Sequence, residues 1–178
     1  HIALYPYRYF QVLRKMVFLL IAMSRYNESA QNIEKLKKIQ TSDPFLKNRV
    51  YFAEINMSLL LYFRTGQFEH GLKRLKEIQN YISEHTILNK HQELLLFFRI
   101  SCIYFGTANY KMAKKWLNKI LNNPGKEARN VIQREAILLN LVLNYELNNH
   151  DLLEHLVKST YRALYKWENP SSFEIAII

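Results

Sequence analysis

Residues 104–125 read YFGTANYKMAKKWLNKILNNPG, and this stretch decides the fold. An apolar run ends at the small polar turn Thr107-Ala108-Asn109, and a second run follows in which apolar residues recur every three or four positions. That spacing builds one face of a helix, whereas Asn, Pro and Gly end helices. Because the connection is only a few residues long, the two helices are expected to pack antiparallel.

The same kind of turn recurs along the chain. Gly66-Gln67-Phe68, Ala108-Asn109-Tyr110 and Asn148-Asn149-His150 each follow a long apolar segment, and they succeed one another at nearly equal intervals. An earlier hinge near Asn27 extends the series by one more interval of similar length. Self-similarity at a period of about 40 residues marks a solenoid, in which each helix pair needs its neighbours to bury its apolar face. The sequence therefore predicts about four antiparallel helix pairs.

Composition favours the same fold class. The chain has four Gly and four Pro among 178 residues, far below the average use of about 7% and 5%. An all-β chain would need many more of these turn residues, so we expect an all-α protein. The length predicts one structural domain over residues 1–178.

Breaks at polar clusters divide the chain into eight predicted helices. At Ser42-Asp43-Pro44 the break offers a capping carboxylate and a proline for the first helical position. The predicted helices span residues 5–25, 28–40, 45–64, 67–85, 89–105, 109–122, 126–147 and 151–167.

Two of the units resemble the tetratricopeptide repeat, which places a small, a polar and an aromatic residue at its turn. One unit carries the resemblance in Ala108-Asn109-Tyr110, Ala113, Leu117, Ile120, Leu121 and Pro124, and the other in Gly66-Gln67-Phe68, Gly71, Leu75 and Ile78. The outer two pairs are degenerate, and the period is longer than is usual in that family. The resemblance implies a right-handed α-α solenoid. A HEAT or armadillo array and a non-repeating bundle are the alternatives.

The resemblance also implies a concave face lined by the first helix of each pair. Its candidate residues are mostly apolar, so we expect a groove for an extended peptide or an amphipathic helix. The alternative is that these side chains form core. The candidates are Asn56, Leu60, Phe63, Leu95, Phe98, Phe105, Leu138 and Tyr145.

A formal net charge of +10 is the second surface signal. Basic residues on the second helices would form a convex band that attracts phosphate backbones or acidic partners. An ordinary solvated face is the favoured interpretation, because no base-reading motif is present. The residues concerned include Lys73, Arg74, Lys111, Lys114 and Lys115.

Residues for catalysis are scarce. Asp43 and Asp151 are the only aspartates, both at predicted helix starts, and the four glycines are too dispersed for a phosphate loop. Cys102, the single cysteine, is interpreted as a small buried hydrophobe. His150 and His155 lack the spacing of a zinc site. We therefore expect no catalytic residue, no cofactor and no metal.

The longest apolar run covers residues 16–23, far short of the roughly 20 residues that span a bilayer. We expect a soluble, cytoplasmic protein without a membrane segment. The chain begins with His1 and ends in a helix-start pattern at Ser171 to Glu174, so we expect a fragment of a longer protein.

These expectations favour a protein–protein interaction scaffold that binds a peptide or helix on its concave face. The first alternative is the sensing or dimerising domain of a bacterial transcription regulator, which an upstream helix-turn-helix would identify. The second is nucleic-acid binding through the basic band.

Overall fold

A computed structural model describes residues 5–84, 88–122 and 131–165. Within these ranges the chain forms eight α-helices and no strand, which confirms the all-α prediction. The helices are α1 (Pro6–Ala22), α2 (Tyr26–Lys37), α3 (Pro44–Thr65), α4 (Phe68–Glu84), α5 (Lys90–Gly106), α6 (Tyr110–Leu121), α7 (Val131–Glu146) and α8 (His150–Tyr165). None of these described helices combines the length and the apolar character needed to cross a bilayer.

Each predicted helix has its counterpart, and the bounds differ by a few residues. At α3 the predicted cap is confirmed, because the Asp43 carboxylate accepts a 2.9 Å hydrogen bond from the backbone N–H of Phe45. Pro44 occupies the first helical position, as expected. The predicted end of α4, the beginning of α7 and the end of α8 lie outside the described residues, as do His1 and the segment from Ser171 to Glu174.

The turns inside the four helix pairs share one backbone conformation. Their central residues have positive φ angles between 56° and 71°. In each turn the following N–H donates to the carbonyl five residues back, at 2.8–3.0 Å, which is the Schellman ending of a helix. The central residues are Ser24, Gly66, Ala108 and Asn148.

The sequence pattern predicted the first hinge near Asn27. In the structure this hinge lies at Ser24. Asn27 lies in the first turn of α2, while Ser24 has a φ of 58° and adopts the left-handed conformation. With this correction, the interval from Ser24 to Gly66 equals the interval from Gly66 to Ala108. The spacing of these three turns is thus more regular in the backbone than in the residue pattern.

Contacts between Cα atoms divide the chain into two compact units, His1–Asn89 and Lys90–Ile178. In the first unit α1 packs against α2 and α3, α2 packs against α3, and α3 packs against α4. Its core joins three helices, with Leu13 and Val17 from α1, Leu36 from α2, and Ala53 and Met57 from α3.

The second unit repeats this pattern of contacts. Helix α5 packs against α6 and α7, α6 against α7, and α7 against α8. Ile100, Leu117, Ile120 and Leu143 are among its fully buried side chains. In each unit the first helix of one pair therefore contacts the first helix of the next. The single domain and the continuous solenoid stay predictions.

Candidate functional site

The eight residues predicted for a concave groove have unequal exposure. Asn56, Leu60, Phe98 and Leu138 are buried, and Leu60 belongs to the core of the first unit. Phe63, Leu95 and Phe105 are half-buried, whereas Tyr145 is exposed. Most of the set thus offers little surface, and its role in binding stays a prediction.

Three of these residues have a structural role that the sequence reasoning missed. In three helix pairs, the first helix carries an aromatic residue near its C-terminal end: Phe63, Phe105 or Tyr145. The ring of this residue lies against an aromatic ring near the start of the second helix. The signal was an aromatic residue three positions before the hinge and another two positions after it. The pairs are Phe63 with Phe68, Phe105 with Tyr110 and Tyr145 with His150, with centroids 6.2, 5.6 and 6.4 Å apart.

The predicted basic band is only partly free for a partner. Lys73, Lys111 and Lys115 are exposed, and within the described residues none of the three forms an ion pair. Lys114 donates a 2.7 Å hydrogen bond to the buried amide of Asn144 on α7. Arg74 forms ion pairs with the carboxylates of Glu54 and Glu77 in its own unit.

A buried carboxylate ties three helices of the first unit together. Glu54 on α3 is only 2% exposed, and its Oε2 lies 2.7 Å from a guanidinium nitrogen of Arg74 on α4. Ser58 donates a 3.0 Å hydrogen bond to the same carboxylate, and Lys37 on α2 lies 3.9 Å away. Burial lowers the pKa of Arg74, but the charges of Glu54 and Glu77 outweigh it and raise the pKa overall. The signal in the sequence was a lone carboxylate within an apolar run.

The cysteine and the histidines considered for chemistry differ in exposure. Cys102 is buried, which confirms its interpretation as a small hydrophobe, and burial raises the pKa of its thiol to about 12. His150 and His155 are exposed. In the described part of the chain, no three His, Cys, Asp or Glu side chains are grouped to hold a metal ion.

A shallow pocket of about 170 Å³ lies between α2 and α3. Tyr26, Ile33, Lys37 and Tyr62 are among its lining residues. Pockets that enclose small molecules usually measure about 300–1,000 Å³, so this one is small for such a ligand.

The surface with the strongest functional signal is the outer side of α1. Phe10, Leu13 and Val17 face the core of the first unit. On the opposite side, four large apolar side chains are between 40% and 65% exposed. We call this row, Val12, Met16, Leu19 and Met23, the α1 face.

The electrostatic environment of the α1 face is basic. Helix α1 carries Arg8, Arg14 and Lys15, all exposed, and no acidic residue. Arg8 and Lys15 are seven residues apart, so they lie on the same side of the helix, along one edge of the row. The guanidinium of Arg8 lies over the ring of the exposed Tyr5, 5.5 Å from its centroid.

No protein-family model matches the chain, and no curated protein or solved structure matches it either. The resemblance to tetratricopeptide repeats thus stays a prediction.

Proposed function

We propose that this chain is a protein-binding helical repeat module and that the α1 face is its main docking surface. One observation carries the proposal: Val12, Met16 and Leu19 on α1, and Met23 directly after its last residue, form an exposed row, while the other side of the helix is core. Contiguous apolar surface on a folded protein usually marks an interaction site.

The tetratricopeptide-like solenoid of four pairs is retained within this proposal. It is supported by the four turns of one backbone form and by the contacts that recur in each unit. Its concave face is kept as a second, smaller docking surface, in which Tyr145 is the most exposed of the predicted residues.

Catalysis is not part of the proposal. The thiol of Cys102 is buried with a raised pKa, and the carboxylate of Glu54 is engaged by Arg74 and Ser58. Neither group is presented to a substrate.

The test combines partner selection with surface variants. A peptide library displayed on phage is selected against the native chain, and the affinity of each selected peptide is measured by calorimetry. Val12→Glu and Leu19→Glu place a charge in the α1 face, and we expect each to weaken binding by at least about tenfold, or about 1.4 kcal/mol. Gln31→Glu, at an exposed position on α2, is the matched control and should keep native affinity.

Tyr145→Glu tests the concave surface at an exposed site in the same assay. Circular dichroism establishes that every variant is folded. Native affinity in both folded α1 variants, for every selected peptide, would contradict the proposal.

A further inference from the structure

We infer that the α1 face takes one amphipathic helix of another protein, with acidic residues beside its apolar row. The inference rests on the proposed function and adds the chemistry of the partner. Spacing within the row and charge along its edge are the two observations behind it.

The apolar row has the spacing of a coiled-coil seam. Val12, Met16, Leu19 and Met23 are separated by four, three and four residues, the alternation of positions d and a in a heptad. Tyr5, exposed, and Tyr9, half-buried, continue the alternation toward the start of the helix. From Val12 to Met23 the row extends about 17 Å at roughly 1.5 Å per residue, or three helical turns. A straight seam of this length, one apolar row wide, fits a single helix.

The charges beside the seam specify the partner further. In the same heptad register, Arg8 and Lys15 take position g of two successive heptads, next to the row. Residues at positions e and g form ion pairs between helices and set the choice of partner. Because α1 contributes basic side chains there and no carboxylate, a helix with Glu or Asp at its flanking positions is complementary.

A second copy of this chain is a poorer occupant. Two α1 helices in antiparallel pairing would bring Arg8 and Lys15 of one copy against the same basic residues of the other. In parallel pairing these residues would meet Leu13 and Leu20, which are buried and carry no charge. Neither arrangement forms an ion pair, whereas an acidic helix forms one at each basic position.

An anionic membrane surface is also less well matched. Helices that lie in a membrane interface bury a broad apolar face, whereas the inner side of α1 is occupied by the core of the first unit. Phe18 is exposed as well, but it lies beyond Lys15 around the helix and outside the row.

The probes are two synthetic helical peptides of about three heptads, with identical Leu and Ile residues at positions a and d. One peptide has Glu at every e and g position, and the other has Lys there. Fluorescence anisotropy of each labelled peptide is measured against the full chain at low and at physiological salt. We expect the acidic peptide to bind at least about tenfold more tightly than the basic one, and less tightly as salt rises.

The variant Arg8→Glu/Lys15→Glu should reverse the preference between the two peptides. Arg14→Glu is the matched control, because Arg14 is exposed on α1 but lies away from the row. Equal binding of the two peptides, or binding of neither, would overturn the inference. So would self-association of the chain that Leu19→Glu abolishes in sedimentation velocity, or binding to phosphatidylserine vesicles that Leu19→Glu abolishes.

The inference and the proposed function fail in different ways. If Val12→Glu and Leu19→Glu weaken the library-selected peptides while Arg8→Glu/Lys15→Glu leaves their affinity unchanged, the docking surface stands and the acidic partner is wrong. If neither pair of variants alters their affinity, both are wrong.

Discussion

A guanidinium nitrogen of Arg74 on α4 lies 2.7 Å from a carboxylate oxygen of Glu54 on α3, and that carboxylate is almost wholly buried. Arg74 is partly exposed and also contacts Glu77, whereas Glu54 has almost no access to bulk water. Removing the arginine would therefore leave an incompletely paired carboxylate inside the first unit, which costs more than the ion pair contributes.

We expect Arg74→Leu to lower the free energy of unfolding by about 2–3 kcal/mol, somewhat below the range for wholly buried pairs. The double variant Glu54→Leu/Arg74→Leu should be more stable than Arg74→Leu alone, because it removes the stranded charge as well. Urea unfolding of the native chain, both single variants and the double variant measures this coupling. A double variant as unstable as the sum of the single variants would show that the two residues do not interact.

The backbone conformation of the hinges predicts that two substitutions change the free energy of unfolding in opposite directions. Gly66 has φ of +71° and an added Cβ would meet no atom within 4 Å, so Gly66→Ala introduces backbone strain alone. We expect it to destabilise the chain by about 1 kcal/mol. Ala108 already bears that strain at φ of 56°, so Ala108→Gly should stabilise by up to about 1 kcal/mol. Thermal and urea unfolding measure both, and a shared sign would contradict the argument.

The buried thiol predicts a dependence on alkaline pH. The pKa of Cys102 is raised from 9.0 to about 12, so below pH 9 the thiol is neutral whether the chain is folded or not. Between pH 9 and about 12 the unfolded chain loses this proton while the folded chain keeps it, so stability falls as pH rises. In this window the residue contributes a slope of at most about 1.4 kcal/mol per pH unit.

Cys102→Ala isolates that contribution. Its stability deficit relative to the native chain, measured in urea, should shrink as pH rises from 8 toward 11. The native thiol should also resist Ellman's reagent at pH 8 until denaturant is added. Rapid labelling of the folded chain would show that the thiol is accessible.

The exposed lysines predict only nonspecific attraction to nucleic acid. Lys111 and Lys115 lie on α6 without a carboxylate ion pair in the described structure, while Lys114 is held by Asn144. Affinity for duplex DNA should fall steeply with salt, show no sequence preference, and weaken in Lys111→Glu/Lys115→Glu. Electrophoretic mobility shifts with unrelated duplexes measure this. Sequence-selective binding at physiological salt would favour the nucleic-acid alternative.

The helices and hinges could be predicted because their signals are local. The cap at Asp43 and the turn at Gly66 depend on residues within one helical turn, and both are present in the structure as expected. The hinge at Ser24 was placed three residues too late, because serine gives a weaker turn signal than the asparagine that follows it.

The α1 face could not be predicted in this way. Residues 16–23 are all apolar, so the sequence pattern alone does not distinguish the side of the helix that is buried from the side that is exposed. Which side of such a helix is covered depends on the packing of α2 and α3, a tertiary property. The burial of Phe98 and Leu138, and the ring contacts of Phe63 and Phe105, likewise depend on neighbours that periodicity does not reveal.

Four different residue types occupy the centre of the same chain reversal in this protein. They are Ser24, Gly66, Ala108 and Asn148. Each reversal closes on hydrogen bonds that reach back no more than five residues, so none depends on the identity of a distant side chain. Such a turn tolerates substitution at its central residue, so helix pairs that share this turn can diverge until their sequences no longer align. Similarity among the four helix pairs is therefore better detected by superposing their backbones than by aligning their sequences.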